Sequence, residues 1–73
     1  MTAVTRNNSR VTNFVRFTAD DWRAMAMYAR AAAYRAEQDA AAQSNPSVRK
    51  TFLDEARRAT ERAEKCENAA RVL

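Results

Sequence analysis

The sequence predicts an all-α protein, a long antiparallel two-helix hairpin that carries an extended or short-strand N-terminal arm and dimerises into a four-helix arrangement. Three observations lead there. The 73 residues include no glycine and a single proline, so tight two-residue β-turns have no natural residues to form them. Two alanine-rich stretches repeat small or apolar residues every three or four positions, the period of a helix face. A chain this short builds only a thin core, and with one cysteine and no histidine it has neither an internal disulfide nor the usual mixed ligand set of a structural zinc site. Association with a second copy is the remaining source of stability.

Residues 1–17 read as a basic arm. Arg6, Arg10 and Arg16 are its only charges, whereas the rest of the chain is almost neutral. From Arg10 to Phe17 the stretch R-V-T-N-F-V-R-F alternates, with Val11, Asn13, Val15 and Phe17 on one side and Thr12, Phe14 and Arg16 on the other. β-branched and aromatic residues suit a strand, and a lone strand needs a partner strand. An extended arm lying on the helices is the alternative.

The arm ends in a strong helix start. Thr18 is expected at the N-cap and Asp21 three residues on, the spacing of a capping box; Phe17 and Trp22 flank them as a hydrophobic staple. Asp20 and Asp21 also face the positive end of the helix dipole. The first helix is expected over about 19–43, with Trp22, Met25, Ala29, Ala32 and Ala36 along its inner seam. Nearly opposite lie Met27, Ala31 and Tyr34, bordered by Arg23 and Arg30, which is an unusual solvent face. These residues fit either a dimer face or a partner-binding face.

A turn is expected at about 44–46, where Asn45 can cap and Pro46 can open the second helix without losing a useful amide. That helix is expected over about 46–73, with the seam Phe52, Ala56, Ala59, Ala63, Cys66, Ala70 and Leu73 in heptad spacing. Asp54 with Arg58, Glu61 with Lys65 and Glu67 with Arg71 have the order expected of surface ion pairs. Cys66 reads as a small core residue.

The function classes narrow in the same way. Asp20 and Asp21 are explained by capping, and no histidine or second catalytic group accompanies them, so the chain reads as non-enzymatic with no cofactor or metal. No apolar run approaches a membrane span and no signal-peptide core is present, which favours the cytoplasm. The stretch V-T-N-F-V-R-F-T-A-D-D-W-R-A-M-A-M-Y-A resembles the strand, capped turn and first helix of ribbon-helix-helix DNA-binding proteins. That resemblance implies base contacts from Thr12, Phe14 and Arg16. The long helices and the lack of a glycine-containing turn depart from it.

In size, alanine and arginine richness, and arm-plus-hairpin layout, the whole chain resembles small accessory proteins of temperate bacteriophages, in particular anti-quorum-sensing proteins. This resemblance implies a homodimeric inhibitor, in the cytoplasm of a bacterial host, of a host protein such as a quorum-sensing transcription regulator or a pilus-assembly ATPase. Phe14, Arg23, Met27, Arg30 and Tyr34 are then the expected partner-binding residues. DNA binding in the ribbon-helix-helix manner is the alternative.

Overall fold

The computed structural model describes residues 16–73, and within them the chain is a hairpin of two helices with no strand. Helix α1 spans Ala19–Ala41 and helix α2 spans Pro46–Val72, about 35 and 40 Å long at 1.5 Å per residue. The expected strand at Arg10–Phe17, with Thr12 and Phe14, falls almost wholly outside the described residues; Arg16, Phe17 and Thr18 belong to neither helix nor strand.

The start of α1 follows from its first residues. The Thr18 amide donates to Asp21 Oδ2 at 2.9 Å, and the Asp21 amide donates to Thr18 Oγ1 at 3.1 Å, closing both halves of the capping box. Phe17 meets Trp22 edge to face, with ring centroids 5.2 Å apart, which sets the direction from which the chain enters the helix.

α1 ends at Ala41, two residues earlier than its alanine content suggests. The last turn tightens: the Ala42 amide is shared between the Gln38 and Asp39 carbonyls, and the Gln43 amide donates to Ala40 O. Pro46 disfavours helical geometry at Asn45, which is extended, and the Asn45 side chain accepts from the Ser47 and Val48 amides at 2.8 and 3.3 Å. Arg49, one turn into α2, reaches back to the Gln43 carbonyl through Nε and Nη2, at 3.1 and 2.6 Å. A cation from the second helix thus serves the negative end of the first, whose own last turn has no basic residue.

The core is made of alanine. Ala26, Ala29, Ala33, Ala36 and Ala40 of α1 are buried against Ala56, Ala59, Ala63 and Ala70 of α2, and no large side chain is fully buried among the described residues. On α2 this is the expected seam, with Phe52 and Cys66 half-buried along it; Leu73 lies beyond the helix and is exposed. On α1 the buried stripe is rotated by roughly 40° at 100° per residue from the expected one. Met25 and Ala32 lie at its half-buried edge, Trp22 is half-buried in the first turn, and Ala29, Ala33 and Ala40 take the centre. The reason is steric: helix axes approach most closely where both sides present only a methyl group, so Met25 is displaced to the margin, while Trp22, in line with the stripe, packs against Phe17 at the start of the helix.

Ala63 has no solvent exposure. Ala63→Leu should therefore force the axes apart and lower stability by about 1–3 kcal/mol. Ala41→Leu, on the exposed end of α1, should leave the thermal melting curve nearly unchanged.

Candidate interaction face

Helix α1 carries a second stripe. Asp20, Ala24, Met27, Ala31, Tyr34 and Gln38 follow one another at intervals of 4, 3, 4, 3 and 4, roughly 160° around the helix from the buried alanines. Met27 is 73% exposed and Tyr34 64%, with Tyr28 beside them at 78%. Ala24, Met27, Tyr28 and Ala31 line a depression of about 300 Å³, whose walls are almost wholly apolar. Sequence reasoning missed Tyr28, because it lies off the Met27–Tyr34 line by one residue. Counting the flank of that line as well as its crest would have found it.

The two arginines expected beside this stripe are placed differently from one another. Arg30 turns across the hairpin, where Nε donates to Glu67 Oε2 at 2.9 Å and Nη2 to Oε1 at 2.8 Å. The bidentate pair ties the middle of α1 to the far part of α2. Glu67 is therefore engaged by Arg30, whereas Arg71 hydrogen-bonds Asn68. A planar guanidinium facing a carboxylate across two packed helices can make two parallel bonds that a neighbour on the same helix is poorly placed to make. Arg23 pairs with Asp20 one turn before it and stays on the rim of the outward stripe. Arg23, Ala26, Met27, Arg30 and Glu67 enclose a shallow groove that joins the stripe to the ion pair.

The remaining expected surface pairs are also re-matched. Asp54 accepts from Lys50 at 2.9 Å and lies 3.7 Å from Arg57, which in turn approaches Glu61 at 3.6 Å. Arg58 and Lys65 are not the partners chosen. The outer side of α2 thus carries a run of alternating charges, as on a solvated helix face.

Among the described residues no group of three or more His, Cys, Asp or Glu is placed to hold a metal ion, and no helix is long and apolar enough to cross a membrane. Cys66 is a free, half-buried thiol on the α2 seam. Of the residues expected to touch a partner or nucleic acid, Met27 and Tyr34 share the outward stripe with Arg23 at its rim, and Arg30 borders it while bound to Glu67. Arg16 is exposed ahead of the staple, and Thr12 and Phe14 lie outside the described residues. Comparison with protein-family models, characterised proteins and solved structures gives no match to this chain.

Hydrogen bonding to Arg30 holds the Glu67 carboxyl below the usual glutamate range, against a smaller opposing effect of burial. A depressed carboxylate stabilises the fold fully above its ordinary value and loses that contribution as pH falls through the lowered one. Melting temperature should consequently decline below about pH 4.3, the ordinary glutamate value. Glu67→Gln should flatten that part of the decline and lower the neutral-pH plateau slightly, as expected for an exposed pair.

Proposed function

We propose that this chain is a non-catalytic binding protein that acts in the bacterial cytoplasm by covering a surface of a host protein. One observation carries the reading: the outward side of α1 presents Met27, Tyr28 and Tyr34 to solvent around small alanines, bordered by arginine. Tyrosine, methionine and arginine are enriched at protein interfaces, where large side chains fill pockets and a charged rim aligns the partners. A surface of solvated charge, such as the outer side of α2, serves solubility and needs no such residues.

The choice of target comes from the likeness in size and layout to temperate-phage anti-quorum-sensing proteins. The proposed partner is a quorum-sensing transcription regulator, with a pilus-assembly ATPase as the second candidate. Covering a regulator's surface requires no chemistry from the inhibitor, in keeping with an Asp20–Asp21 pair that serves an ion pair and a helix cap. The basic residues ahead of α1, Arg16 among those described, can add attraction to acidic parts of the target.

The test is direct binding to a purified quorum-sensing regulator, measured by calorimetry beside a reporter for the regulator's activity. Tyr28→Ala and Tyr34→Ala should each weaken binding by about 2 kcal/mol or more while helicity is kept. Arg23→Ala should act mainly on association rate and its salt dependence. No binding to the regulator, together with DNA binding that weakens steeply with salt and with Arg16→Ala, would instead establish the ribbon-helix-helix reading.

A further inference from the structure

The outward stripe of α1 is self-complementary. Numbered as a heptad, it has Ala24, Ala31 and Gln38 at one core position and Asp20, Met27 and Tyr34 at the other. If a second α1 is laid against it antiparallel, with the two-fold axis near Ala29, every layer pairs a residue with the one whose number completes the same total. Tyr34 then faces Ala24 of the second copy and Met27 faces Ala31 of the second copy. Asp20 meets Gln38 of the second copy at each end. Each large side chain is opposite a small one, which is how interdigitating layers fill space without overpacking.

The flanks agree with the same register. On one side Arg23 falls beside Glu37 of the second copy, and Arg30 meets its own counterpart; each Arg30 is already neutralised by its bidentate Glu67. On the other side Asp21 falls beside Arg35 of the second copy and Tyr28 meets Tyr28 of the second copy. Opposite charges therefore face each other at both outer flank positions on both sides, without any choice beyond the register fixed by residue size. Glu37 and Arg35 are exposed and make no ion pair within the described hairpin. The apolar depression has residues i, i+3, i+4 and i+7 at its corners, Ala24, Met27, Tyr28 and Ala31. Four residues so spaced form the hole that receives a knob from a facing helix.

We infer that the outward stripe of α1 is the seam of a two-fold homodimer in which the two α1 helices pack antiparallel about Ala29. The buried and outward stripes lie on nearly opposite sides of α1. The four helices consequently form a row, α2–α1–α1–α2, instead of a closed bundle. This deepens the reading of the stripe as an interface and rests on it: the first occupant is a second copy. Met27 and Tyr34 are then taken up by the second copy and the host protein is met by the two rims of the seam, Tyr28 on one side and Arg30 on the other, so that Tyr34→Ala lowers regulator binding by weakening the dimer.

The register can be read by cross-linking. In a Cys66→Ser background, Met27→Cys with Ala31→Cys should form an intermolecular disulfide rapidly under mild oxidation. Met27→Cys with Ala41→Cys should not. Sedimentation equilibrium on the otherwise unaltered chain should give twice the chain mass. Glu37→Arg should weaken the dimer, and adding Arg23→Glu to the same chain should restore it, because the swap exchanges the two ends of the same contact. Met27→Asp should raise the dimer dissociation constant at least about 30-fold, the counterpart of a 2 kcal/mol hot-spot loss. Circular dichroism at each concentration separates dissociation from unfolding, since an obligate dimer loses helix on dilution. A helical monomer at micromolar concentration overturns the inference. So does a dimer whose Met27/Ala31 cysteines stay apart. If that monomer still binds the regulator through Tyr28 and Tyr34, the inference fails while the functional reading stands. A dimer with the stated register that binds no regulator has the opposite meaning.

Discussion

Methyl-to-methyl contact between two helices is the constraint from which the rest of the hairpin follows. Nine alanines, five on α1 and four on α2, occupy the buried seam and admit no larger residue at its centre. Such a seam lets the axes come within about 8 Å, the lower end of helix packing distances. Each alanine removes little more than one methyl group from water, worth about 0.8 kcal/mol, so close approach yields dispersion contacts but little hydrophobic gain. A hairpin built this way is well specified in geometry and weakly stabilised in energy. Its ends and its outer surfaces must supply what the seam does not.

The ends were written locally. Thr18, Asp21, Phe17 and Trp22 each lie within five residues of their partner, and Asn45 and Pro46 act on the next turn of chain, so residue type and spacing alone identified both helix starts. The end of α1 was harder to read, because it depends on Arg49 returning from the following helix to the Gln43 carbonyl. The α2 seam was legible because its small residues recur in strict heptad spacing with few competing alanines. On α1, alanine occurs on nearly every side, and periodicity drawn through its largest apolar residues chose the edge of the stripe over its centre. Rotation by a fraction of a turn changes packing greatly while altering the sequence pattern hardly at all.

The ion pairs show the same division between local and distant information. Spacing suggests three ion pairs on α2, yet Asp54 and Glu61 each have three bases three or four residues away, and exposed pairs differ by only a few tenths of a kcal/mol. Sequence therefore fixes the alternation of charge and not the pairing. Arg30 with Glu67 is different in kind: 37 residues separate the two, and only the antiparallel packing brings them together. Once formed, that pair withdraws Arg30 from its expected role as a freely offered contact. It also cancels the charge that would otherwise repel a like helix approaching the outward side of α1.

The two outer faces of the hairpin differ in chemistry. On α2, Lys50, Asp54, Arg57 and Glu61 satisfy one another along the surface, and a face so neutralised has little to gain from a partner. On α1, the corresponding side exposes Met27, Tyr28 and Tyr34. Leaving three such side chains in water forgoes hydrophobic stabilisation that a chain with an alanine core can ill spare. The same helix thus holds its hairpin together with its smallest residues and exposes Met27, Tyr28 and Tyr34 on the other side. On the proposed reading folding and recognition share one helix, and a partner covering the outward stripe would also hold α1 in its helical form beside the Arg30–Glu67 pair that ties it to α2.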